Sequence, residues 1–355
     1  MRIVGIACVR DEEDVIESFV RHNIVYLDKI YIIDNLSRDK TAGILSALAQ
    51  EGLPIEVWES SSCSHQQELA MTAALRKLAK FEPDADFAFL LDADEFLGAP
   101  SRAALIDDLE KLKAGRYGLM PWKTYVPVDE NLDAIDTSIP VTARMTHRRA
   151  HEGKQMFKAV VPRELFSKAS VRAGNHHLLT PRGGRYPKQP MQSPLAHFPV
   201  RSASQLIAKI ILSSHSMKIK KNAPPREAFH WMQMAEAIRA KGFNISRDQI
   251  IDFVLEYSIQ SNYEKPKEFL RDPLPVHPSV MVRYSSDGSG SLIRRFDQYI
   301  IRLLENNHVT PIKDSDFERR EFHLIREIRA SFKKCKRWVK RRLGLQRKEI
   351  SQAIR

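Results

Sequence analysis

The sequence predicts an α/β protein, a mostly parallel sheet flanked by helices, with a helical extension at its C-terminal side. Three observations carry this. Over residues 1–100, short apolar β-rich runs alternate with stretches of helical period, the pattern of right-handed βαβ units. The run Phe87–Leu91 is apolar at every position, as a strand buried on both faces must be. From Ser202 onward the pattern becomes mainly helical.

Each element has a local reason. Ile3–Val9 is an apolar run that reads as a first strand; nothing in it resembles a secretory leader with its cleavage site. Asp11, Glu12, Glu13 and Asp14 then open a helical pattern through Ile16, Phe19 and Val20, where early carboxylates suit the helix dipole. Lys29–Ile33 is a second strand, stopped by the turn-formers Asp34, Asn35 and Ser37. A helix from about Lys40 to Gln50 ends at Gly52, with Asp39 and Thr41 as its expected caps. Pro54–Trp58 forms a third strand, residues 66–80 a helix, and Phe87–Leu91 the buried strand. Gly115 to Pro199 reads as irregular α+β structure. Helices follow from Ser202, near 227–241 and over 246–260, and the Pro- and Ser-rich stretch Pro266–Ser291 reads as a linker. The expected division is 1–210 for the α/β domain, 211–315 for a helical extension and linker, and 316–355 for a terminal helix.

The chain has 355 residues and a formal net charge of +12, unevenly placed. Arg319–Arg355 holds 14 Lys+Arg against 3 Asp+Glu, and Leu165–Arg226 holds 11 Lys+Arg and no carboxylate. Each block carries +11, which leaves −10 for the rest. Two basic blocks on an acidic body argue against a general polyanion binder, and no nucleic-acid motif accompanies them. In the last block Ile325, Ile328, Phe332, Cys335 and Val339 repeat at helical spacing, with Lys and Arg on the other faces. A basic amphipathic helix of that kind suits an anionic membrane surface, or else packs on the body with its cations solvated. The three cysteines, Cys8, Cys63 and Cys335, are widely spaced and form no zinc or disulfide pattern. The expectation is a cytoplasmic protein, with the tail a candidate for the inner face of the membrane.

The most informative segment is Phe87-Ala88-Phe89-Leu90-Leu91-Asp92-Ala93-Asp94-Glu95-Phe96-Leu97. Five apolar residues run into three carboxylates at the edge of the sheet where open α/β folds bind ligands. Strand alternation would turn Asp92 and Asp94 the same way, both toward a divalent cation and a diphosphate. The bland alternative is a strand end leading into an acidic helix start.

This segment resembles the DxD motif of nucleotide-sugar glycosyltransferases of the GT-A, Rossmann-like fold, and more closely the "lDxDEF" branch of glycosyltransferase family 2. Three further blocks are similar in order and spacing: Cys8–Glu13 with Arg21-His22-Asn23, Ile32–Thr41, and Leu195–Ser202 continued by Gln205 and Lys209. The four blocks span about residues 1–210. The resemblance implies that Asp34 holds the nucleotide base and Asp92 the ribose or base edge. It places Asp94 and His197 on a metal that bridges the diphosphate, and Glu12, Lys158 and Arg201 around the nucleotide sugar. Carboxylate and imidazole together suit Mn²⁺ better than Mg²⁺, although either would serve. Two positions depart from the pattern: Asp11 stands where Asn is usual, and Lys40 where Gly is usual.

An inverting transfer needs a base for the acceptor hydroxyl. Since Leu165–Arg226 holds no carboxylate, the candidates are Asp129, Glu130, Glu152, Glu164, His176 and His177, with Glu152 preferred for its cationic surroundings and His177 as the alternative. Lys158, Arg182, Arg185, Lys188, Arg201 and Lys209 are candidate partners of the leaving diphosphate. The expected activity is metal-dependent transfer of a sugar to a glycan or lipid-linked glycan. The alternatives are a phosphate-handling hydrolase or nucleotidyltransferase that uses the same acids, or a binding protein held to membrane or nucleic acid by its tail.

Overall fold

Apolar runs that cannot face water become the middle of the sheet. In the computed structural model β1 (Ile3–Val9) lies parallel between β2 (Lys29–Asp34) and the later strand Phe87–Leu91. The structure describes residues 1–59, 67–128, 132, 135–219, 235, 236, 238–240, 245–259, 262–275, 277 and 280–286, all within one compact unit, Met1–Ile300.

The helices α1 (Ile16–Asn23), α2 (Thr41–Gln50) and α3 (Gln67–Phe81) cover the two faces. Period-2 alternation sorts the contacts. Ile3, Ala7 and Val9 of β1 share a core with Phe19 and Val20 of α1 and Leu45 and Leu48 of α2. Val4 and Ile6 share the other core with Met71, Leu75 and Leu78 of α3. β3 (Ile55–Glu59) extends the parallel sheet from β2, and β4 (Phe87–Leu91) closes it on the other side of β1.

Beyond β4 the pairing turns antiparallel. After β5 (Glu95–Leu97) and α4 (Arg102–Glu110), the long β6 (Tyr117–Val126) is followed by α5 (Val141–Arg144), β7 (His147–Arg149) and β8 (Phe157–Pro162). The order across the main sheet is β13-β7-β6-β8-β4-β1-β2-β3, where β13 is Phe269–Arg271. The short β9 (Ser170–Val171) and β10 (Leu178–Leu179) pair with each other, and β11 (Lys188–Pro190) joins β6. β12 (Leu195–His197) runs parallel to β6 and antiparallel to β5, which sets His197 opposite both Thr124 and Glu95. α6 (Ala203–Ile219) and α7 (Arg247–Glu256) complete the described elements, the latter started by a capping box of Ser246 and Gln249.

Three expectations change. The acidic stretch does not form the first turn of α1, which starts only at Ile16; Asp11–Asp14 stay in the preceding loop, where their carboxylates have other partners. Asp92 and Asp94 lie past the end of β4, so strand alternation does not govern them. The stretch read as linker is attached to the body where it is described. β13 pairs with β7, and the backbone N–H groups of Arg283, Tyr284 and Ser285 donate to the buried carboxylate of Glu17 at 2.8, 2.6 and 2.9 Å. Composition hides this because the sheet edge and Glu17 recruit backbone donors, which every sequence has. Most of the helix expected near 227–241, and the whole amphipathic tail of 316–355, lie outside the described residues. Among the described residues no helix is long and apolar enough to cross a membrane.

Candidate functional site

Three neighbouring parallel strands, β2, β1 and β4, end at one edge of the sheet, and their last residues begin the site. Asp34 closes β2 and accepts the Ser37 N–H at 3.1 Å, which folds the Asp34–Ser37 turn. Asp34 and Asp92 stand two strand spacings apart, roughly 10 Å. Cys8, at the end of β1, lies between them: burial, then Asp92 and Asp34, push its thiol up to about 12, so it is inert.

The loops after β1 and β2 are zipped together. Ser37 Oγ takes the Asp11 N–H at 3.0 Å, Thr41 Oγ1 that of Glu12 at 2.8 Å, and Asp39 Oδ2 that of Glu13 at 3.0 Å. Asp39 also accepts the Thr41 N–H at 2.9 Å, the capping expected of it, whereas the Thr41 hydroxyl serves the other loop. Both departures from the family pattern are conformationally sound. Asp11 has φ 55°, a left-handed conformation that Asn and Asp tolerate best among side-chain-bearing residues. Lys40 has φ −78°, which needs no glycine.

Asp92 and Asp94 have different surroundings. The turn between them is closed by the Asp92 N–H, which donates to Glu95 Oε2 at 2.8 Å. Asp92 then accepts from Gln67 Nε2 at 2.6 Å and Asn175 Nδ2 at 3.2 Å, and pairs with Lys158. Lys158 is 1% exposed and also pairs with Glu95 at 3.1 Å. Burial opposes the ammonium charge, but Asp92 and Glu95 outweigh it and raise its pKa. Burial also drives Glu95 far above the ordinary carboxylate range. Asn175 reaches Asp92 because it and Gly174 take φ values of 60° and 70°. A Cβ on Gly174 would lie 2.5 Å from His176 Nε2, so only glycine fits there.

Asp94 faces a second group. Its Oδ2 lies 2.9 Å from Lys209 Nζ, 3.7 Å from His197 Nε2 and 3.9 Å from Arg201 Nη1. Burial works against its charge, but Lys209, His197 and Arg201 prevail and hold its pKa well below the usual range. Arg201 is fully buried and spends its donors on Asp14 Oδ2 at 2.7 Å, Glu12 Oε2 at 2.7 Å and the Phe198 carbonyl at 3.1 Å. Glu12 and Arg201 thus brace the loop. His197 is buried against Trp122, ring centroids 4.1 Å apart, and its Nδ1 has no hydrogen-bond partner. Burial, against the pull of Asp94, lowers its pKa to about 3, so the ring is neutral at pH 7.

A divalent cation fits this donor set in part. Asp94 Oδ2 is a hard anionic donor, and the imidazole Nε2 of His197, neutral at pH 7, lies 3.7 Å from it. Among the described residues no group of three or more His, Cys, Asp or Glu is gathered for a metal.

Of the base candidates, Glu152 is held against the strand that faces His197. Its two oxygens accept the Thr124 N–H at 2.6 Å and the Thr124 hydroxyl at 2.8 Å, and Thr124 stands opposite His197. His176 donates through Nδ1 to the Phe157 carbonyl, 2.7 Å away, while His177 keeps its Nδ1 unpartnered. Burial, then Arg185 and Lys188, lower the pKa of His177. Glu164 is displaced from the site: Pro162 of β8 pairs with Phe87 at the opposite end of β4, and Glu164 accepts the Gly115 N–H there. Asp129 and Glu130 lie outside the described residues. Arg182, Arg185 and Lys188 are exposed.

Several contributors escaped the sequence reading. Tyr257 follows α7 and brings its half-buried ring to 5.5 Å from that of His197. Arg149 sets that helix end in place, with its guanidinium on the carbonyls of Val254 at 3.1 Å and Tyr257 at 2.7 Å. Asp14, Gln67, Trp122 and Asn175 also went unmarked.

No family model matches the chain, and no curated protein matches it. Solved structures similar to it include the mannosyltransferase PcManGT from Pyrobaculum calidifontis in complex with GDP-Man and Mn²⁺, at 16% identity over 70% of this chain and 77% of that one, with a TM-score of 0.36. GalNAc-T7 with UDP, GalNAc and Mn²⁺ is similar at 12% identity over 66% of this chain and 54% of that one, with a TM-score of 0.37. A 4-diphosphocytidyl-2C-methyl-D-erythritol synthase from Anaerococcus prevotii is similar at 12% identity over 47% and 72%, with a TM-score of 0.28. At these values the likenesses carry no argument about activity or ligand.

Proposed function

We propose that the chain transfers a sugar from a nucleotide-sugar donor to a hydroxyl of a glycan or lipid-linked glycan, with a divalent metal and with inversion, as a GT-A enzyme similar to glycosyltransferase family 2. One observation carries the reading. Asp34, Asp92, Asp94 and His197, from three separate sequence blocks, converge at one edge of the parallel sheet together with Lys209.

In this reading Asp34 and Asp92 receive the nucleoside, one at each side of β1. Asp94 and His197 hold the metal, which when bound supplies Lewis acidity to the diphosphate leaving group. Glu12 and Arg201 keep the loop around Asp94 in place. Lys158 keeps Asp92 oriented, and Tyr257 and Trp122 wall His197 from water. Glu152 is positioned by Thr124 and Arg149 to take the acceptor proton on a carboxylate oxygen. The tail, read as a membrane-surface helix, would keep the enzyme near a lipid-linked acceptor.

The test is thermal stabilisation by a panel of nucleotide sugars, with and without Mn²⁺. A true donor at a hundredfold excess over its dissociation constant adds about 2.7 kcal/mol. Asp94→Asn should lower transfer by about 10²-fold or more and make donor binding indifferent to the metal. If no nucleotide sugar stabilises the protein, or if Asp94→Asn turns over normally, the reading fails.

A further inference from the structure

The oxygen of Asp94 that faces His197 is already taken. Lys209 Nζ stands 2.9 Å from Oδ2, nearer than His197 Nε2 at 3.7 Å or Arg201 Nη1 at 3.9 Å. A dication arriving between Asp94 and His197 would meet two positive groups on the same oxygen.

The two cations differ in their freedom to leave. Arg201 is fixed, 1% exposed and tied by its planar fork to Asp14, Glu12 and the Phe198 carbonyl. Lys209 ends a flexible four-carbon stem from α6, its side chain is 25% exposed, and its hydrogen bond in the structure is to Asp94. An ammonium released from Asp94 needs another anion, and a diphosphate at this edge of the sheet supplies one.

We propose that Lys209 is a displaceable internal counter-ion: it holds Asp94 in the metal-free protein and moves to the diphosphate when metal and nucleotide bind. The proposal rests on the glycosyl-transfer reading and adds to it a binding order. The metal binds the free protein weakly and the nucleotide-loaded protein tightly, and by linkage each ligand strengthens the other equally. No bond is made or broken in the exchange.

The experiment is a Mn²⁺ titration of the full chain, followed by the electron paramagnetic resonance signal of free Mn²⁺. UDP and GDP serve as probes, after correction for Mn²⁺–diphosphate complexes in solution. In the wild type either diphosphate should strengthen Mn²⁺ binding at least tenfold. Lys209→Met should strengthen Mn²⁺ binding to the nucleotide-free protein at least tenfold and shrink the coupling to the diphosphate. Lys209→Gln should do the same, and Lys209→Arg should keep the coupling. If both neutral variants bind Mn²⁺ no better than the wild type, Lys209 is a fixed element of the site and the proposal is overturned. If the wild type binds neither Mn²⁺ nor either diphosphate, the glycosyl-transfer reading itself falls.

Discussion

Asp92 and Asp94 are two residues apart and are both paired with a lysine, yet the pairs are built differently. Lys158 stands on a strand, 1% exposed, wedged between Asp92 and Glu95. Lys209 stands on a helix with a quarter of its side chain in solvent. In the first pair the lysine is enclosed and the carboxylate of Asp92, 30% exposed, meets solvent; in the second the carboxylate of Asp94 is enclosed and the lysine meets solvent. A buried lysine contributes fixed geometry, and an accessible one contributes a charge that can be exchanged.

The largest expected effect falls on the fixed pair. Lys158→Met removes the buried cation between Asp92 and Glu95 and should cost about 3 kcal/mol in a urea titration, held down because Asp92 is part exposed and burial already raises the pKa of Glu95. A loss below about 1 kcal/mol would mean that the two lysines are equivalent and would erase the contrast.

The next effect is on pH, where both sides of the site should respond alike. Burial lowers the pKa of His197, beside Asp94, to about 3, and that of His176, near Asp92, to about 4. His22, under β5, is lowered to about 4 by burial as well. Depressed pKa values mean that the unfolded chain binds protons first. The stability these neutral rings carry is complete above pH 6.5 and is lost as pH falls toward 4 and 3. Each ring costs about 1.4 kcal/mol per pH unit in that window. Glu95 and Glu12, raised by burial, oppose this trend, so the variant isolates one ring: His176→Asn should recover about 1 kcal/mol of the difference in stability between pH 7.5 and pH 5.5. An unchanged difference in that variant would show that the ring is solvated.

The smallest effect probes the loop side alone. The segment 283–286 is clasped by Glu17, and the Ser286 N–H donates to the Glu13 carbonyl at 3.2 Å, one residue from Asp14. Glu17→Gln should cost about 1–2 kcal/mol, because one acceptor oxygen and one of the two ionic partners of Arg21 are lost. Hydrogen exchange should then quicken at Tyr284, Ser285 and the Glu12–Asp14 loop and stay unchanged in β8. Equal loosening of β8 would show that the two sides form one cooperative unit.

Much of the parallel half was legible because its code is local. β1, β2, β3 and β4 appear within a residue or two of where apolar runs and turn residues put them, and Gly52 ends α2 as expected. Asp34, Asp92, Asp94 and His197 were singled out by a resemblance in four blocks, and the fold brings them to one edge of the sheet. Their partners were not. Asn175 matters through a left-handed turn, Tyr257 through a helix end set by Arg149, and Glu17 through backbone donors from 266 residues away.

The sequence by itself determined the α/β class, the strand that delivers three carboxylates to the sheet edge and the segregation of the +12 charge into two blocks. Hydrophobic period and local charge are properties of consecutive residues, so they survive without the fold. Only the tertiary structure decided that Asp92 and Asp94 part company beyond β4, that Glu12 and Arg201 brace a loop, and that Asp94 shares one oxygen among Lys209, His197 and Arg201. Those outcomes depend on desolvation and on distances of a few ångströms between residues more than a hundred positions apart, and no local pattern encodes them.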